Sequence, residues 1–124
     1  MPATILLVDD EPHLARVAEL SLRKGGFDIV MARNGREALE AARRAPPALI
    51  VMDILMPEMD GLTALGELKQ DPALARIPVI LLSARGQLMT PEEAAAHGAA
   101  LFLTKPFSPT QLLREAQRLI GGAA

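Results

Sequence analysis

The sequence predicts an α/β fold with a single parallel sheet covered by helices on both faces. The first observation is a set of short apolar runs without polar alternation, which is typical of strands buried on both faces. These runs occupy residues 5–8, 49–52, 79–82 and 101–104. The second observation is that helix-like segments alternate with the strands in five βα units. Because crossovers between parallel strands are right-handed, this order gives one sheet with helices on either side.

The first half of the chain is predicted to hold two strands and two helices. After the strand at 5–8, Glu-Pro at 11–12 opens a helix, since proline tolerates the first turn and glutamate favours its positive end. Gly-Gly at 25–26 ends this helix, and residues 27–31 alternate as a second strand. Asn34 is expected to cap the second helix, which ends before Pro-Pro at 46–47.

The second half repeats this alternation. A helix near its middle has the clearest start signal, because Thr90 and Glu93 form a capping-box pair with Pro91 at the first helical position. The elements expected here are a strand over 48–53, a helix over 62–69, a strand after 78, the short helix ending at 98, a strand over 101–104 and a helix from 108 to 121.

Length and composition indicate one domain over residues 1–124, with no output domain in this chain. No apolar stretch approaches the ~20 residues that cross a bilayer, and cysteine is absent, so we expect a cytoplasmic protein that does not contact membranes. The net charge is −2, without a run of Lys or Arg and without Trp or Tyr. These features argue against direct nucleic-acid binding.

The predicted strands end on side chains that can handle phosphoryl groups. Asp9-Asp10, Asp53, Ser83 and Lys105 follow or end four strands, and the carboxyl ends of parallel strands meet at one edge of a sheet. Each of these residues alone also fits an ordinary turn, cap or surface position. Together the carboxylates would repel one another, and Mg²⁺ or the lysine would relieve that repulsion. Such a set can move a phosphoryl group onto an aspartate.

At essentially all of residues 3–120 the chain resembles the receiver domain of two-component response regulators. No single motif is specific, but all of them occur in order at the family's spacing. They are Leu-Val-Asp-Asp-Glu at 7–11, Asp-Ile-Leu-Met-Pro-Glu-Met-Asp-Gly at 53–61, Ser-Ala at 83–84, Gly-Ala at 98–99 and Phe-Leu-Thr-Lys-Pro-Phe at 102–107. The resemblance implies a flavodoxin-like (βα)5 fold with strand order 2-1-3-4-5.

The resemblance also implies a phosphoacceptor and a metal site. Asp53 would accept the phosphoryl group. Asp10 would bind Mg²⁺ directly, and Asp9 would help either directly or through water. Asp53 and the backbone carbonyl of Leu55 would complete the protein ligands.

A second group of residues would bind the phosphoryl group and change conformation. The resemblance implies that Ser83 donates a hydrogen bond to the phosphoryl oxygens and that Lys105 pairs with them. Phe102 matches the switch aromatic, whose ring turns inward when Ser83 moves. The Lys105–Pro106 bond would be cis.

The chain departs from many DNA-binding relatives just before the switch aromatic. Those relatives carry two acids where Ala100 and Leu101 stand here. The charge pairs that hold such relatives as dimers are therefore not expected, and we predict a monomer or a weak dimer. Leu101 either packs into the edge of the core or forms an apolar docking patch with Ala100.

Four further positions are expected to tune the site or to contact its partners. Leu55 and Arg85 occupy positions that influence dephosphorylation in the family, so the lifetime of the phosphoryl group should differ from that of fast chemotaxis-type regulators. Of Leu88 and Met89, one is expected to lie in the core and the other in a partner contact.

The function implied is a signalling receiver without enzymatic activity beyond its own phosphorylation and dephosphorylation. It would accept a phosphoryl group, with Mg²⁺, from a histidine kinase or a histidine phosphotransfer protein. The face of helix 4, strand 5 and helix 5 would then bind a downstream effector.

The alternatives are a degenerate receiver that binds partners without phosphorylation, and the receiver portion of a hybrid kinase. A phosphatase of the haloacid-dehalogenase type is disfavoured because such enzymes use an Asp-x-Asp motif, and Leu55 stands here in place of its second Asp. A nucleotide-binding protein is disfavoured because no Gly-rich loop follows the first strand.

Overall fold

The structure is a computed structural model in which residues 2–83 and 89–121 are described. Five strands form one sheet: β1 (Thr4–Val8), β2 (Asp28–Ala32), β3 (Leu49–Asp53), β4 (Val79–Ser83) and β5 (Leu101–Thr104). The helices described are α1 (Pro12–Lys24), α2 (Gly35–Arg44), α3 (Gly61–Gln70), α4 (Pro91–Ala96) and α5 (Pro109–Gly121). No helix in these ranges is long and apolar enough to cross a membrane.

The strands lie in the order β2-β1-β3-β4-β5, and all four neighbouring pairs are parallel. The predicted fold class and strand order are therefore confirmed. Val8 lies opposite Met52, Asp53 opposite Leu82, and Ser83 opposite Thr104. Because these strand ends are level, the residues that follow them leave the sheet at the same edge.

The apolar runs supply both faces of the sheet. Leu6 and Val8 of β1 face a core made with α2, α3 and α4, whereas Ile5 and Leu7 face a core made with α1 and α5. The five residues of β3 are all buried, and so are those of β4. Two-sided burial is the reason these strands lack polar alternation.

The helix caps form where the sequence predicts them. The Asn34 Oδ1 accepts a hydrogen bond from the Glu37 backbone N–H at 2.9 Å. The capping box at α4 has both of its arms, each 3.1 Å long, between Thr90 and Glu93. Pro12 occupies the first turn of α1, as expected.

Several predicted boundaries differ from the structure by one or two residues, among them those of β2, β3, α3 and α4. The second strand begins at Asp28 and not at residue 27, because the Phe27 N–H still bonds to the Leu22 carbonyl of the closing helical turn. The ladder starts with the Asp28 N–H, which donates to the Ala3 carbonyl at 3.0 Å. The fourth helix ends at Ala96, because Gly98 adopts a φ of 102° and closes the turn.

Candidate functional site

Three carboxylates meet at the carboxyl edge of the sheet. Asp9 follows β1, Asp53 ends β3, and each side chain is buried, whereas Asp10 is exposed. One oxygen from each of the three lies within 4.8 Å of the others. The Asp9 Oδ1 accepts a hydrogen bond from the Glu11 N–H at 2.9 Å, which fixes this carboxylate at the end of its strand.

Lys105 joins the two buried carboxylates. Its Nζ donates to Asp9 Oδ2 at 3.0 Å and to Asp53 Oδ2 at 2.9 Å. The Lys105 backbone N–H also donates to the Ser83 carbonyl at 2.7 Å, so the residue is held at the end of β4. The bond from Lys105 to Pro106 is cis. These side chains come from far apart in the sequence and are brought together by the strand order.

The two carboxylate oxygens of Asp53 differ in their hydrogen bonding. Among the described residues no hydrogen-bond donor reaches its buried Oδ1. A buried acceptor without a partner is unfavourable, so this oxygen is suited to an added cation or an electrophile. One oxygen each from Asp9, Asp10 and Asp53 gives the all-oxygen donor set that Mg²⁺ prefers, and the residues present therefore fit this ion.

Burial and neighbouring charges shift the pKa values of Asp53 and Lys105. Burial raises the pKa of Asp53, and the charges of Asp9 and Asp10 raise it further, although the hydrogen bond from Lys105 opposes them. Burial alone would lower the pKa of Lys105, but its hydrogen bonds to Asp53 and Asp9 outweigh burial and raise it. The lysine is therefore a fixed positive charge beside Asp53.

The loop over residues 54–60 forms the next wall of the site. Its start is anchored by the Ile54 N–H, which donates to the Leu82 carbonyl at 3.0 Å. Its end is anchored by the Gly61 N–H, which donates to the Ile54 carbonyl at 2.8 Å. Leu55 lies between these anchors with 56% of its surface exposed. An exposed leucine beside a polar site can restrict the approach of water or contact a partner.

The predicted switch and partner residues lie around β4 and β5. Ser83 is the buried last residue of β4 and has interaction partners. Phe102 is half-buried and packs against the core shared with α4, beside a cavity of about 160 Å³. Met89 packs against that same core, Leu101 packs against the opposite one, and Ala100 is exposed. Arg85 and Leu88 lie outside the described residues.

Two contacts at this edge were missed by the sequence reasoning. Asn34 was identified only as a helix cap, but its Nδ2 also donates to Glu58 Oε2 at 3.0 Å. The Gly35 N–H donates to the Met59 carbonyl at 2.9 Å. The only signal was the Asn-Gly pair, which does not show that its partners lie in the loop after β3.

The sequence comparisons agree with the geometry of the site. The family model described as the response regulator receiver domain matches residues 5–117. The chemotaxis protein CheY of Bacillus subtilis is 44% identical over 114 residues, which cover 91% of this chain and 93% of that protein. TcrX of Mycobacterium tuberculosis, described as a probable transcriptional regulatory protein, is 37% identical over 120 residues, covering 96% of this chain and 50% of TcrX. The chain thus spans about half the length of that curated relative.

Solved structures show the same similarity. The chemotaxis response regulator CheY4 of Vibrio cholerae matches with a TM-score of 0.87 and 30% identity, covering 96% of this chain and 99% of that one. The receiver domain of a signal transduction histidine kinase from Syntrophus aciditrophicus matches with a TM-score of 0.86 and 38% identity, covering 97% and 91%. With its fold and nearly its whole length in common with these proteins, the chain belongs to the response regulator receiver domain family.

Proposed function

We propose that this chain is a phosphorylation-activated receiver in which Asp53 accepts the phosphoryl group. The observation that carries the proposal is the state of the Asp53 carboxylate. One of its oxygens is held 2.9 Å from the Lys105 Nζ, and the other is buried without a donor among the described residues. Such a carboxylate is oriented, faces a fixed cation, and has an oxygen available for bond formation.

Asp9, Asp10, Asp53 and the Leu55 carbonyl would hold Mg²⁺. When bound, the ion would neutralise charge on the phosphoryl oxygens during transfer. Lys105 would supply the protein's own positive charge on the same group. The cluster's carboxylates already lie close enough to share one ion, and this supports the assignment.

The transfer step follows from the position of Asp53. An Asp53 carboxylate oxygen attacks the phosphorus of a phosphohistidine on a histidine kinase or a phosphotransfer protein. The new P–O bond forms as the P–N bond breaks, and the imidazole nitrogen keeps the bonding electron pair. Lys105 pairs with the transferred group, and the Ser83 hydroxyl donates a hydrogen bond to it. Apart from this step and its reversal by water, the proposal assigns the chain no catalytic activity.

The added charge would drive the switch. A phosphoryl group brings about −1.5 to −2 charges and three acceptor oxygens. Ser83 and Lys105 move toward it, and Phe102 repacks into the space beside α4. The face of α4, β5 and α5 then binds a downstream effector, with Met89, Leu88, Ala100 and Leu101 as candidate contacts.

The remaining assignments concern rate and context. We propose that Leu55 and Arg85 set the lifetime of the phosphoryl group, which the exposure of Leu55 supports.

The domain is proposed to span residues 1–124 and to act as a monomer or weak dimer, without direct contact to nucleic acid or membrane. A cytoplasmic location stays a prediction from the sequence. The relatives include both single receivers and longer regulators, so the proposal concerns this domain alone.

The proposal is tested by intact mass after incubation with acetyl phosphate. Wild type with Mg²⁺ is expected to gain the mass of one phosphoryl group, because acetyl phosphate replaces the protein donor. Asp53→Asn and wild type in EDTA are expected to gain none. Asp28→Asn, at an exposed residue of β2, is the matched control and should behave as wild type. No gain in wild type, or an equal gain in Asp53→Asn, would refute the assignment.

Mg²⁺ alone is expected to raise the melting temperature of the unphosphorylated protein. A ligand that binds only the folded state stabilises it by about 2.7 kcal/mol at one hundred times its dissociation constant. Asp10→Asn should largely remove the shift, because it takes away one of the three carboxylates that would hold the ion. Asp10 is exposed, so the change should leave the core intact. The measurement is differential scanning calorimetry with and without Mg²⁺. Equal shifts in wild type and Asp10→Asn would place the ion elsewhere.

A further inference from the structure

The loop over residues 54–60 is tied to the start of α2 by two hydrogen bonds. The Asn34 Nδ2 donates to Glu58 Oε2 at 3.0 Å, and the Gly35 N–H donates to the Met59 carbonyl at 2.9 Å. We call these two contacts the loop bridge. A Cβ at position 35 would come within 2.7 Å of the Met59 carbonyl oxygen, so the two segments are in close contact.

The loop has an unfavourable backbone at the point where the bridge holds it. Glu58 adopts a φ of 64°, the only positive value at a non-glycine residue in the described part of the chain. A residue in this region persists only when its surroundings hold it there, and such residues concentrate at functional sites. Asn34 is 5% exposed, and its side chain uses both ends of the amide, one to cap α2 and the other to hold Glu58.

The bridge lies beside the proposed metal site. Asn34, Pro57, Glu58 and Asp10 line one open cavity of about 460 Å³. Leu55, whose carbonyl is the proposed ligand, lies three residues before Glu58 in the same loop. The ends of this loop are fixed by backbone hydrogen bonds at Ile54 and Gly61, and the loop bridge restrains its outer part.

From these contacts we propose that Asn34 is a positioning residue for the metal. Its bond to Glu58 holds the loop in the shape that presents the Leu55 carbonyl, so metal affinity depends on a hydrogen bond that touches no ligand. The inference rests on the proposed function, since it concerns the same Mg²⁺ site. Partners that orient a ligand typically change metal affinity by about tenfold or more when they are lost.

The chain allows two pairs of variants that separate the bond from its charges. Glu58→Ala and Glu58→Gln remove the same negative charge, but only the glutamine side chain can still accept the bond from Asn34. Asn34→Asp keeps the helix cap and loses the donor. Its added negative charge would by itself attract Mg²⁺ more strongly, so weaker binding has to come from the loop, where the donor is lost and the carboxylates at positions 34 and 58 repel each other. In Asn34→Asp/Glu58→Gln the amide at position 58 can donate to the carboxylate at position 34, which restores a bond of reversed polarity.

Isothermal titration calorimetry with MgCl₂ measures the affinities directly, and is needed because the chain has no Trp or Tyr to report binding by fluorescence. Glu58→Ala and Asn34→Asp are expected to bind about tenfold more weakly than wild type. Glu58→Gln and the double variant should lie within about twofold of wild type. Melting temperatures without Mg²⁺ should differ only slightly between Glu58→Ala and Glu58→Gln, because one hydrogen bond at an exposed residue contributes little to global stability. A merely structural role would leave the Mg²⁺ affinities of these two variants alike.

Equal affinities for Glu58→Ala and Glu58→Gln would overturn the positioning role. So would a double variant that binds no better than Asn34→Asp. If wild type binds Mg²⁺ and all variants bind alike, only this inference is overturned. If wild type binds no Mg²⁺, the proposed metal site and this inference both fall.

Discussion

Lys105→Met is expected to destabilise the protein by about 3 kcal/mol in the absence of Mg²⁺, because the change leaves buried carboxylates without their cation. The Lys105 side chain is 11% exposed, and its two carboxylate partners are 2% and 6% exposed, so water compensates little of the loss. Phosphorylation by acetyl phosphate should also slow by about a hundredfold, since one stabilising donor is lost from the transition state. Urea unfolding in EDTA and the rate of phosphoryl gain by intact mass measure the two effects.

The other partly buried lysine provides the control. Lys69 donates to the Ala75 and Ile77 carbonyls at 3.0 and 3.4 Å, away from the acidic edge, and burial lowers its pKa. Lys69→Met should cost about 1–2 kcal/mol, since it removes two hydrogen bonds but leaves no buried charge behind, and it should leave the phosphorylation rate unchanged. If the two lysine variants are equally stable, the paired carboxylates do not depend on Lys105.

The loss of stability caused by Lys105→Met should also depend on pH. Without the lysine nothing opposes burial, so the pKa of Asp53 should rise further above its unfolded value. A raised carboxyl pKa means that the folded state holds the proton more tightly than the unfolded state, so stability falls as the pH rises through that pKa. The stability gap between wild type and Lys105→Met should therefore narrow as the pH is lowered toward the unfolded pKa of Asp53. Removing the charge with Asp53→Asn in the variant should narrow it in the same way.

Sequence reasoning predicted the sheet well because burial leaves a direct mark on composition. The runs at 5–8, 49–52 and 79–82 became β1, β3 and β4, whose residues are buried almost throughout. The position of the acidic edge followed from one rule, that parallel strands end together. This rule places Asp53 near Lys105 although 52 residues separate them.

What sequence reasoning could not predict are contacts between two loops. The bond between Asn34 and Glu58 depends on how the chain leaves two different strands, and neither residue type indicates the other. The positive φ of Glu58 is equally hidden, since glycine or asparagine is the usual residue in that conformation. The edge strand β2 was displaced by one residue for a related reason, because one backbone bond at Phe27 decided whether it joined the turn or the ladder.

Gly61→Ala is expected to be the most damaging single methyl group added near the site. Gly61 begins α3 directly against the end of β3, where a Cβ would overlap the Asp53 carbonyl oxygen and lie 3.0 Å from the Ile54 Cα. These are backbone atoms held by the sheet, and they cannot move aside as a flexible side chain would. We expect a loss of about 3 kcal/mol, at the upper end of overpacking costs, together with weaker phosphorylation because the clash displaces Asp53 itself.

Gly66 on the same helix is the matched control, because the same glycine-to-alanine substitution there is expected to have the opposite effect on stability. A Cβ at position 66 meets no atom within 4 Å, and the residue is exposed within α3. Gly66→Ala should stabilise the protein by about 0.5–1 kcal/mol, because alanine loses less backbone entropy than glycine in a helix. Urea unfolding followed by far-UV circular dichroism measures both variants. Similar stabilities for the two would mean that α3 can shift away from β3, and that the acidic edge is held less rigidly than its backbone contacts imply.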